Sequence, residues 1–200
     1  MESVIRLSPG SLYTAGTQFE DQGHVQENQQ ALDRFLASVE KQAFRMAQIS
    51  TRNADDALDI VQDAMIKLVE KYGDKPEAEW RPLFFAILNS RITDFHRKQT
   101  LTGRIFSWVG VGDDDEDMEI GTTFEGPEEK LLESMTIERL QAALEALPMR
   151  QQQVFLLRNW QGFSVAETAG ILKLSEGSVK THMSRATDAL MRAIAPEGDK

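Results

Sequence analysis

A run of hydroxyl and cationic side chains near the C-terminus carries the clearest chemical signal in the chain. Its members are Ser178, Thr181, Ser184, Arg185 and, at the margin, Lys180, and a carboxylate, Asp188, follows only near the end of the run. Small hydroxyls and cations can hydrogen-bond to base edges and phosphates. We therefore interpret this run as one face of a helix suited to the major groove of DNA.

Apolar residues in the same segment predict how that face is held. Val179, Met183, Ala186 and Leu190 recur at spacings of four, three and four, which is typical of the buried stripe of a helix. Ser175 precedes the stripe and can cap the start of the helix. The alternative is a small helical core element with a solvated polar face. The low carboxylate content and the capped helix upstream favour DNA binding.

Two shorter helices are predicted immediately before this segment. Residues 151–160 have helical periodicity and are followed by Gly162, which can adopt the left-handed conformation that ends a helix. Ser164 and Glu167 then form a capping box, in which each side chain satisfies a backbone donor of the other. The second helix is expected to end near Leu172. Together the segments predict a helix-turn-helix.

The first hundred residues contain three further segments with helical periodicity. Apolar residues recur over 31–49 and again over 57–68, the second time after a break at Asn53 that suits a helix cap. A third helix is predicted from Trp80 to Gln99, with an apolar, aromatic first half and a basic second half. Its basic end can meet phosphates or bases, although a core helix with a solvated end explains the same pattern.

The distribution of charge leaves a nucleic-acid partner possible. The formal net charge is −10, but residues 101–133 alone carry 2 Lys or Arg against 10 Asp or Glu. Residues 134–195 carry 7 Lys or Arg against 5 Asp or Glu. The acidic residues are therefore concentrated in a segment with the composition of a linker, while the predicted helix-turn-helix is slightly basic.

Composition also limits the kinds of site that the chain can contain. There is no cysteine, so disulfides and thiolate metal sites are excluded. Asp113, Asp115 and Asp117 alternate as in a calcium loop, but Met118 stands where an EF-hand requires glycine, so we expect no metal site and no cofactor. No Ser-His-Asp order, HExxH motif or glycine-rich phosphate loop is present, and we do not expect an enzyme.

The predicted architecture is all-α, with two small helical domains joined by a flexible acidic linker. Residues 1–30 are expected to form a flexible arm, 31–100 the first domain, 101–133 the linker and 134–195 the second domain. No apolar run reaches the roughly 20 residues that span a bilayer, and the N-terminus lacks the features of a signal peptide. We therefore expect a soluble cytoplasmic protein without membrane insertion.

Three segments resemble a known family. They are DIVQDAMIKL at 59–68, LFFAILNSRITDFHRK at 83–98 and ALEALPMRQQQVFLLRNWQGFSVAETAGILKLSEGSVKTHMSRA at 143–186. In this order they resemble bacterial RNA polymerase sigma factors of the extracytoplasmic-function group, which retain only regions 2 and 4. The resemblance covers residues 31–194 and implies promoter-specific transcription initiation.

The resemblance implies roles for three sets of residues. Asp59, Gln62 and Asp63 would contact the clamp helices of the polymerase beta-prime subunit. Asn89, Arg91, Asp94, Arg97 and Lys98 would engage the downstream (−10) promoter element and help to separate its strands. Ser178, Lys180, Thr181, His182, Ser184 and Arg185 would read the upstream (−35) element. The beta flap of core polymerase and an anti-sigma factor are the further partners that the resemblance implies.

The sequence departs from the family pattern at Leu83, often tryptophan, at Lys173, where glycine is common, and at His182, where arginine is frequent. An imidazole at this position cannot make the bidentate contact with guanine that arginine makes. The main alternative is a LuxR-like regulator, which the VKTH sequence at 179–182 resembles and which binds operators without polymerase. The DIVQD segment and the basic helix favour a sigma factor over that regulator and over a helical adaptor.

Overall fold

The computed structural model describes residues 16–109 and 138–194, with side chains described for 26–99 and 138–194. Within these ranges the regular secondary structure is helical and no strand occurs, so the predicted all-α class is confirmed. The acidic run that includes Asp113, Asp115 and Asp117 lies outside the described residues. None of the described helices is long and apolar enough to cross a membrane.

The helices form two units. The first unit contains α1 (Gly16–Thr51), α2 (Ala54–Tyr72) and α3 (Glu77–Val109). The second contains α4, described over 138–146, α5 (Met149–Phe155), α6 (Val165–Leu172) and α7 (Glu176–Ile194). A π-helical turn, Leu156–Trp160, continues α5. Short connections make consecutive helices of the first unit antiparallel neighbours.

The first unit packs around aromatic residues at one end of α3. Trp80 and Phe84 are fully buried, and the ring of Phe35 on α1 lies 5.8 Å from Trp80 and 6.1 Å from Phe84 between centroids. The Trp80 indole N–H donates to the Tyr72 carbonyl at 3.1 Å, so this large side chain is buried with its polar atom satisfied. At the other end of the bundle, the Asn53 side chain caps α2.

Two helices extend beyond their predicted bounds. α1 begins at Gly16, so residues 16–30, expected to belong to a flexible arm, are helical. α3 continues to Val109, into the segment expected to be a linker. Extending an existing helix adds one hydrogen bond for each residue that is fixed, and neither stretch contains proline, so helix propagates without an apolar stripe. Asn28 also fixes α1, because its side-chain amide donates to the Gly73 carbonyl at 2.9 Å.

The second unit has the predicted helix-turn-helix bounds. Leu157, Val179 and Ala186 are fully or almost fully buried between α5, α6 and α7. Gly162, with φ of 70°, ends the helical path after the π-helical turn as its sequence position predicts. The third helix begins after Ser175, whose hydroxyl accepts from the Ser178 N–H at 3.1 Å.

The two units pack against each other, which the sequence did not predict. The Phe85 and Phe163 rings, one from each unit, lie 5.5 Å apart between centroids in an edge-to-face arrangement. The Arg81 guanidinium lies 4.5 Å from the centroid of Phe163 and donates to the Gln161 carbonyl at 2.6 Å. The contact joins α3 directly to the turn of the helix-turn-helix.

Buried polar side chains complete this inter-unit contact. Gln152 and Gln153 of α5 are 3% and 1% exposed. The Ser50 hydroxyl donates to Gln152 Oε1 at 2.5 Å, and Gln153 Nε2 donates to Thr93 Oγ1 at 3.2 Å and to the Asn89 carbonyl at 3.5 Å. Water can replace such hydrogen bonds when the surfaces separate, so the contact is more easily opened than an apolar core.

Candidate nucleic-acid interface

The turn of the helix-turn-helix is fixed by reciprocal capping. The Glu167 N–H donates to Ser164 Oγ at 3.2 Å, and the Ser164 N–H donates to Glu167 Oε2 at 2.7 Å. The predicted capping box is therefore confirmed. Hydrogen bonds from the Ser164 side chain and backbone hold the pKa of Glu167 below its ordinary value. The carboxylate remains charged at the N-terminus of α6, where negative charge is favourable.

Lys173 ends α6 in the left-handed conformation, with φ of 54° and ψ of 48°. Its N–H reaches the carbonyls of Ala169 and Gly170, so the backbone of the turn is satisfied in spite of the side chain. A residue with a Cβ atom is disfavoured in this region by about 1–2 kcal/mol. The departure from the glycine that is common in this turn therefore has a structural cost.

We predict that Lys173→Gly raises the free energy of unfolding by about 0.5–1 kcal/mol, because relief of the left-handed strain exceeds the larger unfolded-state entropy of glycine. Urea denaturation followed by circular dichroism measures the change. Lys173→Ala is the matched control, since it removes the charge but keeps the Cβ atom. Equal gains from both substitutions would mean that the lysine charge, and not the backbone strain, is responsible.

The predicted upstream-reading residues lie together on the outward side of α7. Val179, Ala186 and Leu190 are buried, and Met183 is half-buried, so the face opposite them is directed to solvent. The exposed members of the set are Lys180, Thr181, Ser184 and Arg185. Among the described residues, neither cation makes an ion pair, which leaves both charges available to phosphates or base acceptors.

Three of the residues expected to read the upstream element are less available for hydrogen bonds to DNA than the others. Ser178 and His182 are half-buried, and His182 Nδ1 is buried without a hydrogen-bond partner among the described residues. The Thr181 hydroxyl donates to the Gly177 carbonyl at 3.0 Å, which leaves its oxygen to accept. Lys180, Ser184 and Arg185 are therefore the members of the set best placed to donate to DNA.

The residues expected at the downstream element divide between a buried and an exposed group. Asn89 is 3% exposed, and its side-chain amide donates to the Phe85 carbonyl at 2.8 Å, inside the inter-unit contact. Asp94 and Arg97 lie on the surface with 3.7 Å between carboxylate and guanidinium, and Lys98 is exposed beside them. Burial lowers the pKa of His96, so its imidazole is neutral at pH 7.

The residues expected to meet polymerase form one exposed strip on α2. Asp59, Gln62 and Asp63 are all exposed. The Asp63 carboxylate lies 3.8 Å from Nε of Arg91, so the strip adjoins a residue expected at the downstream element. The residues expected to contact polymerase and those expected at the downstream element are therefore neighbours on the first unit.

Three exposed apolar residues lie beside these polar residues on α2, and the sequence analysis did not predict their exposure. We call the exposed polar and apolar residues together the α2 strip. Leu58, Ile66 and Val69 are 45%, 55% and 46% exposed. Leu58, Gln62 and Ile66 follow one another at four-residue spacing and therefore lie on one face of the helix. The sequence contained evidence for this exposure, because all three residues fall outside the helical pattern of the buried side chains of α2, which are Ala57, Ile60, Val61, Ala64 and Leu68. Exposed apolar residues clustered on one helix face are typical of a protein-binding surface.

Comparison with known proteins supports the same interpretation. The family model for sigma-70 region 4 matches residues 137–190. Over 155 residues the chain is 31% identical to the RNA polymerase sigma factor SigV of Bacillus subtilis, covering 77% of this chain and 85% of SigV. It is 27% identical over 176 residues to the extracytoplasmic-function sigma factor SigM of Mycobacterium tuberculosis, covering 86% of this chain and 81% of SigM.

Two solved structures have the same fold. The sigma factor RpoE of Bartonella quintana, solved in complex with the anti-sigma factor NepR, matches with a TM-score of 0.57 and 21% identity, covering 88% of this chain and 99% of that one. CnrH, solved with the cytosolic domain of CnrY, matches with a TM-score of 0.58 and 19% identity, covering 85% of this chain and 91% of that one.

The helix-turn-helix, the three-helix first unit and a relative above 30% identity over most of its length lead to one conclusion. The chain belongs to the family of RNA polymerase sigma factors. Within this family it is an alternative sigma factor of the extracytoplasmic-function group, which directs promoter-specific transcription initiation. The LuxR-like alternative is not favoured.

Proposed function

We propose that three faces of the protein have separate roles in transcription initiation. The α2 strip binds the clamp helices of core polymerase, the basic half of α3 engages the downstream promoter element, and the exposed face of α7 reads the upstream element. The second unit also contacts the beta flap. The protein acts in the cytoplasm by binding rather than by catalysis, and it needs no cofactor.

The exposed face of α7 is the observation that carries this proposal. Lys180 and Arg185 are exposed and make no ion pair within the described part of the chain, and a buried apolar stripe fixes their direction. The family match at 137–190 includes this helix. A rigid helix with free donors is the usual means by which a helix-turn-helix reads base edges in the major groove.

Strand separation at the downstream element needs only binding energy. Unpairing and unstacking a base costs a few kcal/mol, and a protein that captures the unpaired base offsets that cost. Exposed Arg97 and Lys98 supply positive charge for the backbone beside such a base.

The two units must separate for both promoter elements to be read at once. Elements centred about 25 base pairs apart lie about 85 Å apart along B-form DNA, at 3.4 Å per base pair. In the compact arrangement the Phe85 and Phe163 rings are in contact. Residues 110–137 connect the units, and a fully extended chain of that length reaches about 95 Å. Separation is therefore compatible with the covalent connection.

An anti-sigma factor is a further proposed partner. One protein of the same fold, the sigma factor RpoE, was solved in complex with the anti-sigma factor NepR, and another, CnrH, was solved in complex with the cytosolic domain of CnrY. A partner that binds both units would cover the α2 strip and the DNA-binding faces together. Affinity purification from non-induced cells should recover such a protein, and recovery of polymerase alone under every growth condition would contradict the proposal.

Run-off transcription tests the proposed function directly. The purified protein is added to core RNA polymerase with a library of genomic promoter fragments, and the start sites of the transcripts are sequenced. The proposal requires new start sites that share upstream and downstream elements at a fixed spacing. Unchanged initiation by core polymerase would overturn it.

The α2 strip gives a sharper test of the polymerase interface. Asp59→Ala combined with Gln62→Ala should weaken binding to core polymerase about 10- to 100-fold, because truncating both interface residues should cost about 1.4–2.8 kcal/mol in total. Both residues are exposed, so helicity should not change. Fluorescence titration of labelled protein with core polymerase measures the affinity.

The matched control uses the same two residue types on another helix. Asp33→Ala combined with Gln42→Ala removes an exposed aspartate and an exposed glutamine from α1. This variant should bind core polymerase with wild-type affinity. Equal affinity for the α2 variant and wild type would remove α2 from the interface.

A further inference from the structure

The outward side of α1 carries a row of cations that none of the proposed roles uses. Arg34, Lys41, Arg45 and Arg52 follow one another at spacings of 7, 4 and 7 residues. At 100° per residue, Arg34, Lys41 and Arg45 fall within an arc of about 40°, nearly opposite the buried face of α1. Arg52 follows directly after the last residue of α1, with φ of 56°. We call these four residues the cationic stripe. Glu40 is the only acid between its ends, and it lies about 100° from Lys41 around the helix.

The stripe is exposed and its charges are not neutralised locally. All four side chains are exposed, and none makes an ion pair with residues in the described ranges. Among these four side chains and within the described residues, only Arg52 donates a hydrogen bond, from Nη2 to the Glu145 carbonyl of α4 at 2.7 Å. Arg34, Lys41 and Arg45 remain available whether the units are together or apart.

Acidic and basic residues are distributed unevenly between α2 and residues 34–52 of the first unit. Residues 31–100 contain 11 Lys or Arg and 11 Asp or Glu, so the unit has no net charge. α2 nevertheless carries five acids against two lysines, whereas residues 34–52 carry four cations against one acid. The preceding part of α1, residues 16–33, carries four acids and no Lys or Arg. The unit therefore has one face that attracts polyanions although its total charge is zero.

α1, which carries the stripe on its outward side, lies beside the helix that is proposed to engage the downstream element. At its N-terminal end, Phe35 packs on Trp80 and Phe84, and Asn28 bonds to the loop between α2 and α3. At its C-terminal end, His96 of α3 hydrogen-bonds to the backbone of Ser50. α1 and α3 therefore run in the same direction, and the C-terminal end of α1 lies beside the half of α3 that is proposed to engage the downstream element.

We propose that the cationic stripe of α1 is a second DNA-backbone contact, which holds phosphates of promoter DNA next to the downstream element. This inference rests on the proposed function. From Arg34 to Arg45 the helix rises about 17 Å, which matches about five base pairs of duplex. The contact carries no sequence information, because cations on phosphates position DNA without reading its bases.

Salt dependence of promoter binding tests the proposal. Holoenzyme formed from the full chain and core polymerase is titrated with a duplex that carries a promoter recovered by run-off transcription, over 50–200 mM salt. Each lost phosphate contact reduces the slope of log affinity against log salt by about 0.9. The triple variant Arg34→Ala, Lys41→Ala, Arg45→Ala should therefore reduce the slope by about 2–3. Between 50 and 200 mM salt, the affinity of wild-type holoenzyme for the promoter should then fall about 40-fold more than the affinity of the variant holoenzyme.

Two controls separate phosphate contacts from other effects. Arg34→Lys with Arg45→Lys keeps the charges and should keep the wild-type slope, since a phosphate contact needs only a cation. Lys67→Ala with Lys71→Ala removes two cations from the acidic helix α2 and should also leave the slope unchanged. Core affinity of every variant is measured in parallel.

The outcomes distinguish this inference from the proposed function. If wild-type holoenzyme binds no promoter, the proposed function fails. If wild type binds and the triple variant keeps the wild-type slope, the stripe does not contact DNA and the inference fails alone. If the triple variant instead loses affinity for core polymerase with an unchanged DNA slope, the stripe is a protein interface, which also overturns the inference.

Discussion

Gln153→Glu should drive the two units of the free protein apart at neutral pH. Gln153 is 1% exposed, and its amide nitrogen donates to the Asn89 carbonyl and the Thr93 hydroxyl across the inter-unit contact. A carboxylate cannot donate to the carbonyl and would be buried beside it. Arg150, which donates to Gln153 Oε1 at 3.1 Å, offsets part of this cost. We expect the contact to lose about 2–4 kcal/mol.

The effect should depend on pH in a definite direction. Burial raises the pKa of the introduced carboxyl above the ordinary value of about 4.3 for glutamate. The protonated acid can donate a hydrogen bond as the amide does, so the contact should be kept below the ordinary pKa and lost as pH rises through the raised pKa. Wild type, which has no such group at this position, should show no corresponding step.

Distance measurements in the free protein test this prediction. The chain contains no cysteine, so cysteines introduced at exposed Ala37 and Asp188 label one site in each unit. Transfer efficiency between the two dyes should fall in Gln153→Glu at pH 7 and recover in acid. Gln153→Met is the control of similar shape, which removes the hydrogen bonds without adding charge and should have a smaller effect. Equal efficiency in all three proteins at pH 7 would contradict the prediction.

Arg185→Ala should relax sequence selectivity at one position of the upstream element. The guanidinium is exposed on α7 and makes no ion pair with any described residue, so it can offer two parallel donors to the acceptors of one guanine. Such a pair contributes about 1–3 kcal/mol of discrimination, which corresponds to roughly 5- to 150-fold between the preferred base and its competitors.

Lys180→Ala provides the comparison for that prediction. Lys180 is an exposed point charge on the same helix, and we expect it to hold a phosphate. Its loss should weaken binding to all sequences alike and reduce the salt slope by about one. Selection of bound duplexes from a randomised upstream hexamer measures both variants. Recovery of the wild-type motif at every position by Arg185→Ala would remove the base-reading role.

The helix-turn-helix was predictable because its boundaries depend on local chemistry. The Ser164 and Glu167 capping box and the left-handed Gly162 are determined by residues within a few positions, and the structure confirms both. The buried stripe of α7 likewise follows from helical spacing alone. The exposed face of α7 was predictable for the same reason, since it is what remains when the stripe is buried.

The inter-unit contact was not predictable, because its signal is not local. Gln152, Gln153 and Asn89 are polar, and side chains of this type are usually exposed, yet all three are buried by partners up to about a hundred residues away in sequence. The family resemblance also placed Asn89 among the residues expected at the downstream element, without indicating that α5 lies against it. Only the three-dimensional pairing of the units explains these positions.

The shared contact has a consequence for how the free protein unfolds. Residues from both units belong to one buried cluster, so loss of the second unit exposes Phe85 and the polar groups around Asn89 in the first. Amide hydrogens in α3 and α5 should therefore exchange with solvent through the same opening event and at similar rates. If polymerase and DNA hold the units apart as proposed, the two exchange rates should become independent, so a difference between them would report the bound, separated state.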